Sequence, residues 1–307
     1  MTELLFIVKD IILPIFMLLM IGFIIQRRLS LDVQTLARLN IYFLVPGFIF
    51  VRLYETTFDI AIFFKIFGFF VMFVIVLFIV AFVVGRMLEL DKKRKTVFTN
   101  SIVFYNSGNF GVPVNDLVFK SDPFAMSVQV IVLTMQNIFL FSYGIFSLRQ
   151  ADIGKIRALL GYFKMPVLYA MLAGILLNVF AVPIPGFIWI PANYIANAMV
   201  AIALLTLGAQ VAELKIAKQL TSVYVSATIR LIISPFVALG IIYTFGLSGV
   251  LAQALFISSA MPTSVNSAVI AQEYNNHPQL AAQMVLFSTL VSTFTVTIII
   301  YLSRILF

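Results

Sequence analysis

Long uncharged runs divide this sequence, and they constrain its fold more than any single motif does. Charged residues make up only 10% of the 307 residues and hydrophobic residues 62%, whereas a soluble domain is about half apolar and a quarter charged. The runs between charges reach about 18 residues or more, which is the length that crosses the apolar part of a bilayer. The ten-residue alternation of a transmembrane β-barrel is not seen. The sequence therefore predicts an all-α polytopic membrane protein of the cell membrane.

Ten transmembrane helices fit these runs. Their predicted ranges are 4–25, 33–54, 61–85, 96–119, 123–148, 166–182, 191–213, 220–245, 249–272 and 279–306. Five spans precede a basic linker at 151–165 and five follow it. Because each half holds an odd number of spans, the second half must insert upside down relative to the first. The predicted organisation is therefore a five-helix repeat at 1–150, the linker, and an inverted five-helix repeat at 166–307.

The positive charges predict the orientation of these spans. Fourteen of the 20 lysines and arginines fall in or beside the first, third, fifth and seventh connections. Positively charged connections stay in the cytoplasm, so both termini are predicted to be extracytoplasmic. This use of the +8 net charge leaves no reason to predict a nucleic-acid partner.

The fourth span of each half contains one polar interruption. The first is Tyr105–Val114, YNSGNFGVPV, and the second is Ser258–Asn266, SSAMPTSVN. Glycine and proline disfavour a helix interior, and paired interruptions of this kind indicate the binding site of a transporter. The predicted substrate-binding residues are Asn106, Ser107, Gly108, Asn109, Gly111, Pro113, Gln136, Met261, Pro262, Thr263, Ser264 and Asn266.

The chemistry of these residues favours an anion. Unwound backbone frees N–H groups at the start of a half-helix, and these attract a carboxylate, whereas free carbonyls suit a cation. Asparagine offers a donor and an acceptor without the cost of a buried charge. The alternative is that the breaks are simple kinks whose amides and small hydroxyls join neighbouring helices. Gln136, with Gln129 on the same span, either lines the cavity or bonds across helices.

Three charged residues are predicted to serve coupling or charge balance. Arg230 falls within a span, so it either carries a functional charge or snorkels to the cytoplasmic interface. Asp116 follows the first break closely, and Lys65 lies near the outer end of the third span. Solvated loop charge is the alternative for Lys65.

Residues 249–279, GVLAQALFISSAMPTSVNSAVIAQEYNNHPQ, and the first break, NSGNFGVP, resemble the auxin efflux carrier family. That family includes the plant PIN auxin carriers and bacterial malate or malonate permeases. The resemblance implies ten helices in two inverted repeats, with broken helices 4 and 9 crossing at their prolines. It also implies a scaffold of helices 1, 2, 6 and 7, a homodimer, and an organic anion bound by Asn106 and Asn109, with Pro113 and Pro262 at the crossing.

The sequence departs from the plant carriers in two ways. It has only a short linker where they have a long cytoplasmic loop, and it has Asn-Ser-Gly-Asn at 106–109 where they have Asn-Pro-Asn. Both differences favour a small carboxylate such as malate over auxin.

The resulting hypothesis is a secondary carrier of a small organic anion that works by elevator-type alternating access. The first alternative is a carrier coupled to Na⁺ or H⁺, and an intramembrane enzyme or a channel are others. An enzyme lacks support because the sequence has no cysteine and one histidine, His277, and no catalytic set. No catalytic residue, metal site or cofactor is predicted, apart from a possible coupling ion, and the partners are the anion, the lipid bilayer and a second copy of the chain.

Overall fold

The computed structural model of the chain describes residues 2–55, 60–120, 122–148, 166–213 and 221–307. The predicted linker 151–165 lies outside the described residues, as do Lys215 and Lys218, the two lysines of the seventh connection. Helices in the described part are α1 (Leu4–Leu29), α2 (Val33–Glu55), α3 (Ala61–Met87), α4 (Lys92–Val103), α5 (Val112–Phe119), α6 (Pro123–Leu148), α7 (Pro166–Val179), α8 (Gly186–Glu213), α9 (Thr221–Thr244), α10 (Gly249–Ser259), α11 (Val265–Glu273) and α12 (Pro278–Leu306).

Seven of these helices are long and apolar enough to cross a membrane, namely α1, α2, α3, α6, α8, α9 and α12. The described residues contain no β-strand, only one isolated bridge. The prediction of an all-α polytopic membrane protein is therefore confirmed. The other predicted spans correspond to the short helix α7 and to two pairs of half-helices, α4 with α5 and α10 with α11.

Two helix starts differ from the sequence prediction by four or five residues. α8 begins at Gly186, so Pro191 lies inside the helix and does not begin it. α4 begins at Lys92 rather than Thr96, and its first residues are basic, which opposes the helix dipole. Asp91 compensates: its carboxylate accepts hydrogen bonds from the backbone N–H groups of Lys93 and Arg94, both at 3.0 Å. The cap moves the helix start into the charged loop.

Replacing Asp91 with alanine is expected to lower the melting temperature of the detergent-solubilised protein by a few degrees, because an N-cap contributes about 1 kcal/mol. The hydrogen bond from the Arg94 backbone holds the pKa of Asp91 below its usual 3.8. A lowered pKa means that the stabilisation is complete above the unfolded-state pKa and disappears as the pH falls through the folded-state pKa. The part of this difference that depends on the charge should therefore be lost as the pH falls below the usual pKa of 3.8. Asp91→Asn keeps a cap oxygen but loses the charge, so it should melt between Asp91→Ala and the wild type at neutral pH.

α1, α2, α7 and α8 pack into one group, in which α8 contacts α1 and α2, and α7 contacts α2. Glycines allow the closest approach. A Cβ atom on Gly208 would lie 1.9 Å from the carbonyl oxygen of Leu19, and a Cβ on Gly22 would lie 2.1 Å from that of Leu205. The backbones of α1 and α8 are thus in direct contact at reciprocal positions, as at membrane helix interfaces built on small residues.

The remaining helices form a second group around the half-helices. α3 packs against α4, α6 packs against α5 and α10, and α9 packs against α10. The two groups meet where α8 contacts the turn Ser107–Gly111 and where α2 contacts α6. Large apolar side chains such as Phe180, Phe187 and Phe294 are exposed on the outside, as expected of a surface that faces lipid. The predicted breaks therefore lie at the junction of the two groups.

Candidate functional site

The two polar interruptions meet in space and pair by backbone hydrogen bonds. Tyr105 and Thr263 form an isolated antiparallel bridge. The Asn106 N–H donates to the Pro262 carbonyl at 2.7 Å, and the Ser264 N–H donates to the Phe104 carbonyl at 2.9 Å. Each unwound segment therefore satisfies the other's backbone, which is how irregular backbone is tolerated at membrane depth. We call this pairing, residues 104–106 with 262–264, the crossover.

Small hydroxyl groups fix the crossover to its surroundings. The Thr263 hydroxyl donates to the Ser101 carbonyl at 2.8 Å, and the Thr263 N–H donates to the Ser288 hydroxyl at 3.1 Å. Ser101 and Ser226 share a further hydrogen bond of 2.6 Å. Thr263 is fully buried, so its side chain supports the crossover from behind.

A cavity opens on the other side of the crossover. The empty space between its walls and at its mouth is about 560 Å³, and its enclosed part has room for only a few water molecules. The lining residues are Ala37, Asn40, Ile41, Val45, Phe104, Tyr105, Asn106, Ser107, Gly108, Asn109, Leu133, Gln136, Asn137, Leu140, Gln210, Ser264 and Asn266. None of them carries a charge, and amides supply most of the polar atoms.

Four buried polar atoms of this lining have no hydrogen-bond partner among the described residues. They are Asn106 Nδ2, Asn40 Oδ1, Gln136 Oε1 and Gln210 Oε1, and each belongs to a side chain that is at least nine-tenths buried. Gln136 Nε2 donates to the Val103 carbonyl at 3.1 Å, so Oε1 is left as an acceptor. Buried polar groups are normally paired, and unpaired groups that line one cavity indicate a place for water or a ligand.

A glutamine brace holds the turn that leads into α5. Gln129 Nε2 donates to the Ser107 carbonyl at 2.6 Å, and Gln129 Oε1 accepts from Asn115 Nδ2 at 2.5 Å. A Cβ atom on Gly111 would lie 2.7 Å from Gln129 Nε2. Gln129 therefore bonds across helices, and Gly111 provides the room that it needs.

Arg230 lies on α9, beside the crossover and away from lipid and water. It is fully buried. Its Nη1 donates to the Ile102 carbonyl at 2.7 Å, and its Nη2 donates to the Ser259 carbonyl and the Ser234 hydroxyl. The interpretation in which Arg230 snorkels to the cytoplasmic interface is therefore wrong, because protein encloses the side chain. Its role in charge balance stays a prediction.

A family of membrane transport proteins matches residues 7–300 of this chain. The chain belongs to that family. An uncharacterized transporter from Methanothermobacter thermautotrophicus is 23% identical over 291 residues, which covers 92% of this chain and 93% of that protein. Auxin efflux carrier component 1 from Arabidopsis thaliana is 34% identical over 77 residues, which covers 25% of this chain and 12% of the plant protein.

The resemblance to the auxin efflux carrier family is thereby confirmed. Membership of a transporter family favours a transporter over the intramembrane enzyme that the sequence left as an alternative. The protein is a multi-pass membrane protein.

The structure divides the predicted substrate residues into two sets. The cavity is lined by Asn106, Ser107, Gly108, Asn109, Gln136, Ser264 and Asn266. Gly111, Pro113, Met261, Pro262 and Thr263 are buried but do not line the cavity, and Pro262 and Thr263 belong to the crossover itself. The side-chain amides of Asn106 and Asn109 differ in their hydrogen bonding. Asn109 Oδ1 accepts a hydrogen bond of 3.1 Å from Asn40 Nδ2, whereas Asn106 Nδ2 has no partner among the described residues.

Two predicted coupling residues lie away from the cavity. Lys65 is exposed on α3 and Asp116 is half-buried on α5, and neither lines the cavity. Gln210 of α8 does line it, and the sequence reasoning missed this residue. The available signal was an amide near the end of an otherwise apolar span, which is costly in lipid and therefore faces protein or a cavity.

Proposed function

We propose that the protein is a secondary carrier that moves a small organic anion, a carboxylate such as malate, across the cell membrane, with its binding site in the crossover cavity. The observation that carries the proposal is the set of unpaired amide atoms around that cavity. The donor among them is Asn106 Nδ2, on the segment where two broken helices pair. Membership of a membrane transporter family supports transport as the activity.

The turn before α5 supports an anion at this place. Gly108 and Asn109 lie in the turn that begins at Ser107 and continues into α5, and both line the cavity. The first N–H groups of a helix have no partner inside it and attract anions. A carboxylate here would accept hydrogen bonds from these N–H groups and from Asn106 Nδ2.

The three acceptor oxygens narrow the ligand further. Asn40 Oδ1, Gln136 Oε1 and Gln210 Oε1 need donors, and a fully ionised dicarboxylate offers none. A hydroxycarboxylate such as malate supplies a hydroxyl donor beside its carboxylates. Leaving buried acceptors unpaired costs about 1–3 kcal/mol each, so the site should prefer a hydroxylated anion to its plain analogue.

The proposal includes the architecture that the family resemblance implies. Ten spans would form two inverted five-helix repeats, at 1–150 and 166–307, with both termini outside and the linker 151–165 in the cytoplasm. The group α1, α2, α7 and α8 would be the scaffold and homodimer contact, and the other helices would move as an elevator. The close backbone contact between α1 and α8 supports a rigid scaffold, and the position of the crossover at the junction of the two groups supports alternating access.

A cation-coupled carrier is the second candidate. The same three amide oxygens favour it, because oxygen ligands suit Na⁺ as well as they suit hydroxyl donors. Replacement of external Na⁺ by choline distinguishes the anion carrier from a Na⁺-coupled one, since only the Na⁺-coupled carrier loses activity.

The first test is uptake of radiolabelled malate into proteoliposomes, with and without an imposed membrane potential. Wild-type protein should show saturable, potential-dependent uptake. Asn106→Ala should reduce it by roughly tenfold to a hundredfold, because a hydrogen bond to a charged group contributes about 1.5–3 kcal/mol. Asn193→Ala is the matched control, since within the described part of the chain the Asn193 side chain on α8 bonds to the Trp189 carbonyl of its own helix alone, and this variant should keep full uptake.

Competition with unlabelled succinate refines the result. Succinate lacks the hydroxyl of malate, and about tenfold weaker competition is expected for the loss of one such group. Malate uptake that survives Asn106→Ala would move the site away from the crossover. Equal competition by succinate would show that the acceptor oxygens do not bind the substrate.

A further inference from the structure

The C-terminal ends of two half-helices converge on one arginine. α4 ends at Val103 and α10 ends at Ser259. The last carbonyl groups of a helix have no partner inside it, and together they carry about half a negative elementary charge. Arg230 donates to the Ile102 carbonyl of α4 and to the Ser259 carbonyl of α10, so a single guanidinium serves both ends.

Carbonyl groups, a hydroxyl group and aromatic rings surround this guanidinium, where a carboxylate would be the usual partner of a buried arginine. In the described part of the chain, no acidic side chain forms an ion pair with Arg230. Its Cζ lies 4.8 Å from the centre of the Tyr105 ring and 5.6 Å from that of Phe73, within the range of cation–π attraction. The Ser234 hydroxyl, which accepts from Arg230, also donates to the Ser259 carbonyl at 2.9 Å. Because arginine stays protonated in proteins, the positive charge is permanent.

We propose that Arg230 is a resident cation of the crossover, in the place where carriers with broken helices hold a coupling sodium ion. In such carriers, half-helix C-termini and unwound carbonyls coordinate Na⁺; here the guanidinium donors occupy those carbonyls. The consequence for transport rests on the proposed function: the anion moves without a coupling sodium ion. Tyr105 lines the cavity and its ring contacts Arg230. Only this ring would therefore separate the positive charge of Arg230 from a bound anion, and the arginine would offset part of the negative charge of the anion.

Thermal stability in detergent tests this proposal without any substrate. Wild-type, Arg230→Ala and Arg28→Ala proteins are melted in 100 mM choline chloride, in 100 mM NaCl, and in choline chloride with 20 mM guanidinium chloride, which is far below denaturing concentrations. Arg28 is exposed near the end of α1 and provides the matched control. Arg230→Ala should melt about 10 °C below the wild type, because it leaves the buried carbonyl groups of two helix ends without their donor. Sodium or guanidinium should recover several degrees by binding the vacated carbonyls.

The wild type and Arg28→Ala should give the same melting temperature in sodium and in choline. A rise of several degrees in the wild type with sodium would overturn the proposal, since it would show that a sodium site remains beside Arg230. Arg230→Ala that melts like the wild type, or that responds to neither cation, would also overturn it. If Arg230→Ala does not yield folded protein, Arg230→Lys decides: a retained charge should restore folding, and failure would show that the charge is not what the site needs.

Malate uptake then separates this inference from the proposed function. Wild-type uptake that is equal in sodium and choline supports both. Uptake that falls at least fivefold in choline overturns the resident-cation proposal and leaves the anion carrier intact. Absence of malate uptake under both conditions counts against the proposed substrate, while the melting data still decide the role of Arg230.

Discussion

Gly208→Val is expected to destabilise the protein by at least about 3 kcal/mol and to lower its melting temperature by about 6–12 °C. A Cβ atom at this position would lie 1.9 Å from the Leu19 carbonyl oxygen and 2.9 Å from the Phe23 nitrogen. Both neighbours are backbone atoms of α1, so no side-chain rotation relieves the overlap. The helices α1 and α8 would have to separate, and the reciprocal contact at Gly22 would open with them.

Gly240→Val is the control for the change of residue type. Gly240 lies within α9 and is exposed, and a Cβ atom there would meet nothing within 4 Å. Melting of detergent-solubilised protein, together with size-exclusion chromatography, should show Gly240→Val within a few degrees of the wild type. Equal melting temperatures for the two valine variants would contradict the close backbone approach of α1 and α8.

The membrane class and the places of the breaks could be predicted from sequence because the bilayer imposes one strong rule. Backbone groups in hydrocarbon must be paired, so long apolar runs form helices. A run that contains Asn106, Gly108, Gly111 and Pro113 has to leave the helix where protein shelters it. The structure places the unwound residues at 104–106, at the start of this stretch, and helical structure resumes at Ser107, so Gly108, Gly111 and Pro113 lie in the first turns of the next helix.

The partners of those breaks could not be read from sequence in the same way. Arg230 donates to the backbone carbonyls of Ile102 and Ser259. Because every residue has a backbone carbonyl, the sequence does not indicate which residues Arg230 contacts, as a complementary acidic side chain would. Proximity in the sequence to the first break also does not determine which residues line the cavity. Asp116 follows Pro113 closely, but it lies on α5 away from the cavity, whereas Gln210 reaches the cavity from a distant helix.

The glycines show the same limit. Gly22 and Gly208 are far apart in the sequence, and no local sequence pattern predicts that the two glycines lie at the same helix contact. Their function depends on the distance between two backbones, which the crossing of α1 and α8 sets. Gly111 lies within the first break, where its role in substrate binding stays a prediction, and the structure places it against Gln129. The sequence therefore indicates that Gly111 lies in a functional segment, but the contact that requires a glycine there is known only from the structure.

Gly111→Ala is expected to lower uptake by about tenfold or more and to destabilise the protein by about 2 kcal/mol. The backbone angles at Gly111, φ −68° and ψ −41°, suit any residue, so the cost is one of space. The new methyl group would lie 2.7 Å from Gln129 Nε2 and would push this side chain away. The Ser107 carbonyl and Asn115 Nδ2 would then lose their partner inside the protein.

A double-mutant cycle identifies Gln129 as the source of that cost. Melting temperatures are compared for Gly111→Ala, Gln129→Ala and the double variant, with Gly186→Ala as the control because a Cβ atom there meets nothing within 4 Å. With Gln129 shortened, the methyl group at 111 has room, so the substitution should cost much less than it does in the wild-type background, and the two effects should fall short of additivity by about 1 kcal/mol or more. Full additivity would mean that the glycine at position 111 is required for a reason other than contact with Gln129.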